Sequence, residues 1–424
     1  MLKRILSMSM AILLSASLFG CSNAADAENQ PSDTTDKPPV YDVKCVNEPG
    51  QPLPISMYAS AKAASAESDY GMKYTDANHS FAATMLNAVG DGYTGVFSPL
   101  SLQIALQVLF NGGDEATAQK FIDAVCPGMT MEEINASSAK LIALLSESDG
   151  VNINSAVIAS KYSGICESFA NAAADYYRAS VGALDFSDPQ AALKQINSWI
   201  SNNTNGLIDN LLDHLDKDTV LVILNALTLD LNWETPFTVA TEPSAFNGAN
   251  GSEQAIMLSS SGEYLYGNFD DGQMAIIPYM GDEYAMAVIL PSEGVSPAAA
   301  ASRLMEHISD CKTSKVTVKM PKVELETKLD ILAMADKLNI SEAINGNFSN
   351  ILYPSDSAKV TQIVHGGSLS VTESGTTAAA ATAIVVNKGI MLVDNEIICN
   401  RPYAMLIFHN ETGAILFASV VNDV

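Results

Sequence analysis

Five histidines, His79, His214, His307, His365 and His409, are the side chains suited to proton transfer near neutral pH, and their spacing limits what they can do. None falls in HExxH or another metal-ligand spacing, no Gly-rich phosphate loop is present, and no GxSxG elbow presents a serine. Ser137 and Lys140 stand in an SxxK arrangement, in which a serine is the nucleophile for acyl transfer. The companion SDN and KTG elements are absent, and two fixed positions in four residues recur by chance. The chain therefore reads as a non-enzyme, with no metal and no cofactor implied.

A different capability lies in residues 371–386, VTESGTTAAAATAIVV. Gly375 opens backbone conformations closed to other residues, and from Thr376 to Ala383 no side chain is larger than Thr. Such a segment enters a sheet without steric cost. As a strand it would place Thr376, Ala378, Ala380, Thr382, Ile384 and Val386 on one face. Composition alone reads equally well as an Ala-rich helix or a loose linker, since Ala is the best helix former.

The elements around it must decide. With 424 residues, 48% apolar and 17% charged, the chain is globular, and length allows one large mixed fold or two to three domains. Helical spacing predicts helices at residues 79–88, 101–110, 116–125, 131–145, 191–202 and 329–338. Asn111-Gly112-Gly113 ends the second of them. Strands are predicted at 152–160, 275–278, 285–290, 315–325 and 404–421, and the nearly continuous apolar run 219–231 reads as a buried central strand. No repeat and no Gly/Ser linker divides them, so the class is α+β in one interlocked unit.

Residues 1–20 read as a signal peptide: Lys3 and Arg4 precede an apolar stretch too short to remain as a membrane span. Leu18-Phe19-Gly20-Cys21 is similar to a bacterial lipobox and makes Cys21 the expected lipidation site. Ordinary secretion with an unmodified Cys21 is the alternative. Residues 21–75 read as a lipidated N-terminus and acidic, disordered tether, most clearly over 22–40, and 76–424 as the folded domain. The expected location is the bacterial cell envelope, lipid-anchored or secreted.

A net charge of -26, or -28 without Lys3 and Arg4, disfavours nucleic acid and heparin-like polyanions as partners. Cys45, Cys126, Cys166, Cys311 and Cys399 are widely spaced with no CxxC, which excludes a zinc ribbon and a dense disulfide scaffold. Buried free thiols are expected for most, and pairing of any of them is left open.

Several segments, in order, resemble one family. Phe97-Ser98-Pro99-Leu100-Ser101, followed by an apolar helix and Gly112-Gly113-Asp114-Glu115-Ala116-Thr117, is similar to the opening signature of serpins. So are VILNALTLDLNWETPF at 222–237, Pro278-Tyr279-Met280-Gly281 with MAVILP at 286–291, MPKVELE at 320–326, and Asn400-Arg401-Pro402-Tyr403 with Gly413-Ala414-Ile415-Leu416-Phe417. The resemblance implies a serpin fold of about three β-sheets surrounded by eight or nine helices with an exposed reactive-centre loop. It makes Glu373, Gly375, Thr376, Thr377, Ala378, Ala379, Ala380 and Ala381 the hinge of that loop. Ser98, Ser101, Asn225 and His365 would control sheet opening, and Trp233 would stand where the loop first enters.

The same resemblance implies a suicide substrate that traps a target serine, or cysteine, protease as a covalent acyl complex, and a monomer. Counting from Glu373 puts the residue before the scissile bond at Gly389, or at Lys388 for a loop one shorter; counting back from Pro402 gives Met391. The alternative is a non-inhibitory serpin acting as a surface binding or storage protein, whose hinge typically carries large or charged residues. A penicillin-binding type enzyme, suggested by SxxK alone, is a distant third.

Overall fold

The computed structural model describes residues 43–57, 71–148, 150–215, 219–354, 360, 362–377 and 393–424. Local rules set the helix starts. In α2 (Pro99–Phe110) the Ser98 side chain accepts from the Ser101 N–H, with Pro99 in the first turn. Asp114 caps α3 (Glu115–Val125), and Thr130 and Glu133 form a reciprocal capping box on α4 (Met131–Leu145). Pro189 opens α6 (Pro189–Asn203) behind the Asp188 cap, while α1 (Met72–Val89) and α5 (Glu167–Tyr177) lack a side-chain cap bond. Helix α2 has almost no polar face and is buried along nearly its whole length, as a helix apolar all round must be.

It lies beneath a sheet in two halves. One half contains β1 (Leu53–Met57), β2 (Val151–Ser160), β3 (Ser180–Leu184) and β4 (Leu221–Leu229), in the order β1-β3-β2-β4. The other holds β5 (Leu231–Asn232), β6 (Val323–Asp330), β7 (Val364–Val371) and β8 (Gly375–Thr377), in the order β6-β7-β8-β5. Only Asp230 separates β4 from β5, so the halves belong to one larger sheet. Apolar side chains of β2 and β4 pack on Ala192, Ile196 and Ile200 of α6, and α2 packs under β4 on the opposite side. That double cover explains why β4 reads as an unbroken apolar run.

A second sheet has nine strands among the described residues and includes Met257–Phe269, Gly272–Pro278, Tyr284–Pro291, Tyr403–His409 and Ile415–Val421. With eight α-helices among the described residues, the architecture is the expected α+β arrangement.

Three expectations change. The helix at 329–338 does not form: Leu329 and Asp330 extend β6 by pairing with His365 and Val364, and 331–339 are turns ending at the left-handed Asn339. The ladder with β7 takes the first two residues of the segment, and the rest closes as successive turns with bonds such as Met334 N–H to Ile331 O and Ala335 N–H to Leu332 O. The run 315–325 is two strands in two sheets, Lys312–Pro321 and β6, broken at Lys322, whose N–H goes to Ile256. Residues 43–57, within the stretch read as tether, are folded: β1 pairs antiparallel with β3 at the sheet's outer edge. Pro54 within it fits an edge strand.

Candidate functional site

Strand β7 rises to Val371, the chain turns at Thr372–Ser374, and β8 returns antiparallel to it, pairing Val371 with Thr376 and Ser370 with Thr377. The other edge of β8 pairs Gly375 with Asn232 and Thr376 with Leu231 of β5. The first hinge residues are thus already a strand between two others. A Cβ at Gly375 would meet the Leu231 carbonyl oxygen at 2.1 Å. Its φ is not positive, so glycine serves here for close backbone approach, not for the unusual conformation its residue type suggests.

The turn is held from several sides. Trp233 donates from its indole to the Thr372 carbonyl at 2.9 Å and from its backbone to Ser374 at 2.9 Å, and Phe237 N–H reaches the Glu373 carbonyl at 2.8 Å. Trp233 is fully buried, stacked on Tyr279 at 4.4 Å between ring centroids. The Tyr279 and Thr376 hydroxyls bond at 2.6 Å. Burial pushes the Tyr279 phenol far up, so it stays a neutral hydroxyl. Glu373 pairs with Lys322 at 3.2 Å; a hydrogen bond to its own backbone, then Lys322, hold its carboxyl below the usual range.

Below the turn, among the described residues, no ladder joins β4 to β7. The start of α2 links the two strands instead, through the Ser98 backbone N–H and the Ser101 side chain. Ser98 N–H donates to His365 Nε2 at 3.0 Å, Ser98 Oγ accepts from Ser101 N–H at 3.1 Å, Ser101 Oγ bonds Asn225 Oδ1, and Asn225 Nδ2 donates to Ser155 Oγ at 2.8 Å. The chain runs from β7 through α2 to β4 and β2. His365 is 3% exposed, and burial lowers its pKa to about 4. Because Nε2 accepts, the ring is neutral with its proton on Nδ1. A protonated ring would have no lone pair for Ser98.

The serpin (serine protease inhibitor) family model matches residues 76–424. The chain belongs to the serpin family. Human neuroserpin is 28% identical over 356 residues, covering 78% of this chain and 86% of its own. The native state of tengpin, a thermophilic serpin, superposes with a TM-score of 0.76 at 23% identity, covering 88% of this chain and 98% of its own. Thyroxine-binding globulin in complex with thyroxine does so at 0.73 and 23%, covering 83% and 99%. At such identities these two structures speak for the fold alone.

In this serpin the residues anticipated from sequence fall into two groups. Ser98, Ser101, Asn225 and His365 form the lower network, while Trp233 stands with Glu373, Gly375, Thr376 and Thr377 at the top. Six positions on β7 separate His365 from Val371, roughly 20 Å at strand rise. Ala378, Ala379, Ala380, Ala381, Lys388, Gly389, Met391 and Cys21 lie outside the described residues. Sequence reasoning missed Tyr279, Lys322, Thr372 and Ser155. All carried visible signals: Tyr279 and Lys322 sit inside serpin-like motifs, Thr372 lies in the 371–386 stretch, and Ser155 is a polar residue within a strand of mostly apolar ones. The SxxK pair is no site: Ser137 is buried in α4, and neighbouring Ser138 bonds Tyr74 and Gln107 in the helical core.

Proposed function

We propose that this serpin inhibits a serine protease as a suicide substrate. The supporting observation is the hinge itself: Gly375 and Thr376 are seated between β5 and β7, directly above a seam whose two edges, β4 and β7, are not laddered to each other. The protease serine attacks the carbonyl before the scissile bond, at Lys388 or Gly389 with Met391 as alternative, expels the new amine and leaves an ester between the two proteins. Cleavage frees the hinge from its C-terminal tether. Residues beyond Thr377 then extend β8 down the seam, gaining ladder bonds on both sides and drawing the acylated protease with them. Inhibition requires that this movement outrun hydrolysis of the ester, so small side chains in the hinge are a kinetic requirement. The starting fold is held by a barrier, and barrier height sets its lifetime.

We place the inhibitor at the bacterial cell envelope through lipid on Cys21, acting as a monomer on extracellular proteases. Replacing Cys21 with Ala should release it from the membrane fraction. The inhibitory reading is tested by mixing the mature protein with trypsin, elastase and subtilisin. The expected product is an adduct that survives SDS, with one protease chain per inhibitor and a released C-terminal peptide whose mass fixes the scissile bond. Clean loop cleavage without adduct for every protease points to the non-inhibitory alternative.

A further inference from the structure

Cys45 and Cys166 face each other across an antiparallel bridge that joins the N-terminal segment to the body of the protein. The flanking residues make the backbone bonds, Val46 N–H to Ile165 O at 2.9 Å and Glu167 N–H to Lys44 O at 2.9 Å. That pattern makes Cys45 and Cys166 a non-hydrogen-bonded pair, in which Cα atoms lie about 4.5 Å apart with side chains on the same face. Disulfides span Cα separations of about 4.4–6.8 Å. The Cys45 sulfur sits over Gly164, which shares that face two residues before Cys166; a Cβ there would meet it at 2.6 Å. Asn47 fixes the register by donating to the Ser163 carbonyl and accepting from the Ile165 N–H, each at 2.9 Å.

Both cysteines are thiols in this structure, Cys45 half-buried and Cys166 buried at the start of α5. We propose that they form a disulfide that clamps the N-terminal segment, and with it the edge strand β1, onto the body. Backbone pairing already holds the two residues in register, so side-chain rotation suffices. The oxidant is a disulfide-bearing small molecule or protein. The Cys45 thiolate attacks it and expels one thiolate, giving a mixed disulfide; the Cys166 thiolate then attacks the Cys45 sulfur and expels the second. One S–S bond breaks and one forms, and the two protons end on the oxidant's thiols. Burial raises both thiols, Cys166 further through its neighbour Cys45, so exchange is slow at neutral pH and faster in mild alkali. The closed loop exceeds 100 residues, the range in which a cross-link most restricts the unfolded chain.

The clamp stands or falls apart from the inhibitory reading. The test is to treat the folded mature protein with oxidised glutathione, block remaining thiols, digest with trypsin without reduction and map the peptides. The expected result is peptide 45–62 joined to peptide 162–178, about 2 Da below the sum of their masses, separated by dithiothreitol and missing from Cys45→Ala and Cys166→Ala. Oxidised wild type should lose roughly 5 °C of its unfolding midpoint on reduction, with no response in Cys45→Ala. Separately blocked or glutathionylated Cys45 and Cys166 after oxidation, Cys45 joined to another cysteine, or a midpoint indifferent to dithiothreitol would each overturn it.

Discussion

Under the proposed function, insertion turns on Thr376. It is fully buried, and its hydroxyl meets Tyr279 in the same pocket. An arginine there would bring a charge into a fully buried site. Thr376→Arg should therefore convert inhibitor to substrate, read as a rise of at least tenfold in the molar ratio needed to abolish protease activity. Tyr279→Phe removes only a hydrogen bond, worth about 1 kcal/mol, and should leave inhibition nearly intact. Gly375→Ala places a methyl against the Leu231 carbonyl and should expel β8, exposing the turn to proteolysis near Glu373 in the absence of any target.

His365 makes the protein sensitive to acid. Its folded pKa of about 4 lies below the unfolded value of about 6.5, so between these values the unfolded chain binds the extra proton. Stability from this group is complete above pH 6.5 and is lost as pH falls toward 4, by about 3 kcal/mol in all. Glu373, also depressed, loses its contribution in the same direction at lower pH. The unfolding midpoint should fall between pH 6.5 and 4, and His365→Gln should flatten that slope while lowering the midpoint at pH 7. An unchanged slope in the variant would assign the acid response to other groups. The sequence makes His365 legible through its place in the motif order, but not its partner, because Ser98 contributes a backbone N–H that no pattern of side chains reveals.

At the level of elements, the seam between β4 and β7 brings two strands side by side without a backbone ladder among the described residues, and an inserting strand must part them. A synthetic peptide of residues 376–388 should add as a strand there, raise the unfolding midpoint and abolish inhibition by occupying the path of the hinge. A peptide that binds without affecting inhibition would place insertion elsewhere. Elements with strong local signals are legible in the sequence. Helix α4 has its predicted bounds because Thr130 and Glu133 close its start, and β4 is visible as an apolar run. Elements made by tertiary pairing are not: β1 is a five-residue edge strand containing a proline, and Leu329 and Asp330, at the head of a segment with helical spacing, are drawn into the ladder with β7. The division of 315–325 between two sheets likewise depends on Lys322 crossing from one to the other, which periodicity does not record.

For the molecule as a whole, the proposed function makes the two groups of site residues successive locks on one sheet. The upper group, around Trp233 and Lys322, holds the first hinge residues; the lower network ties His365 of β7 to Asn225 of β4 through the Ser98 backbone N–H and the Ser101 hydroxyl. Ser101→Ala removes the hydroxyl that bonds Asn225 and so opens that lower tie, a loss of about 1 kcal/mol that should also speed insertion without cleavage. The central claim is that the uncleaved fold stores the difference between a sheet with an unladdered seam and one completed by its own loop. About ten new ladder bonds at about 1 kcal/mol each correspond, for a domain of this size, to a rise of roughly 14 °C in the unfolding midpoint. The direct measurement is thermal unfolding of the protein before and after a single cut between residues 387 and 392 by a protease it does not trap. A rise of that order with both fragments retained is the predicted result, and an unchanged or lowered midpoint would contradict insertion.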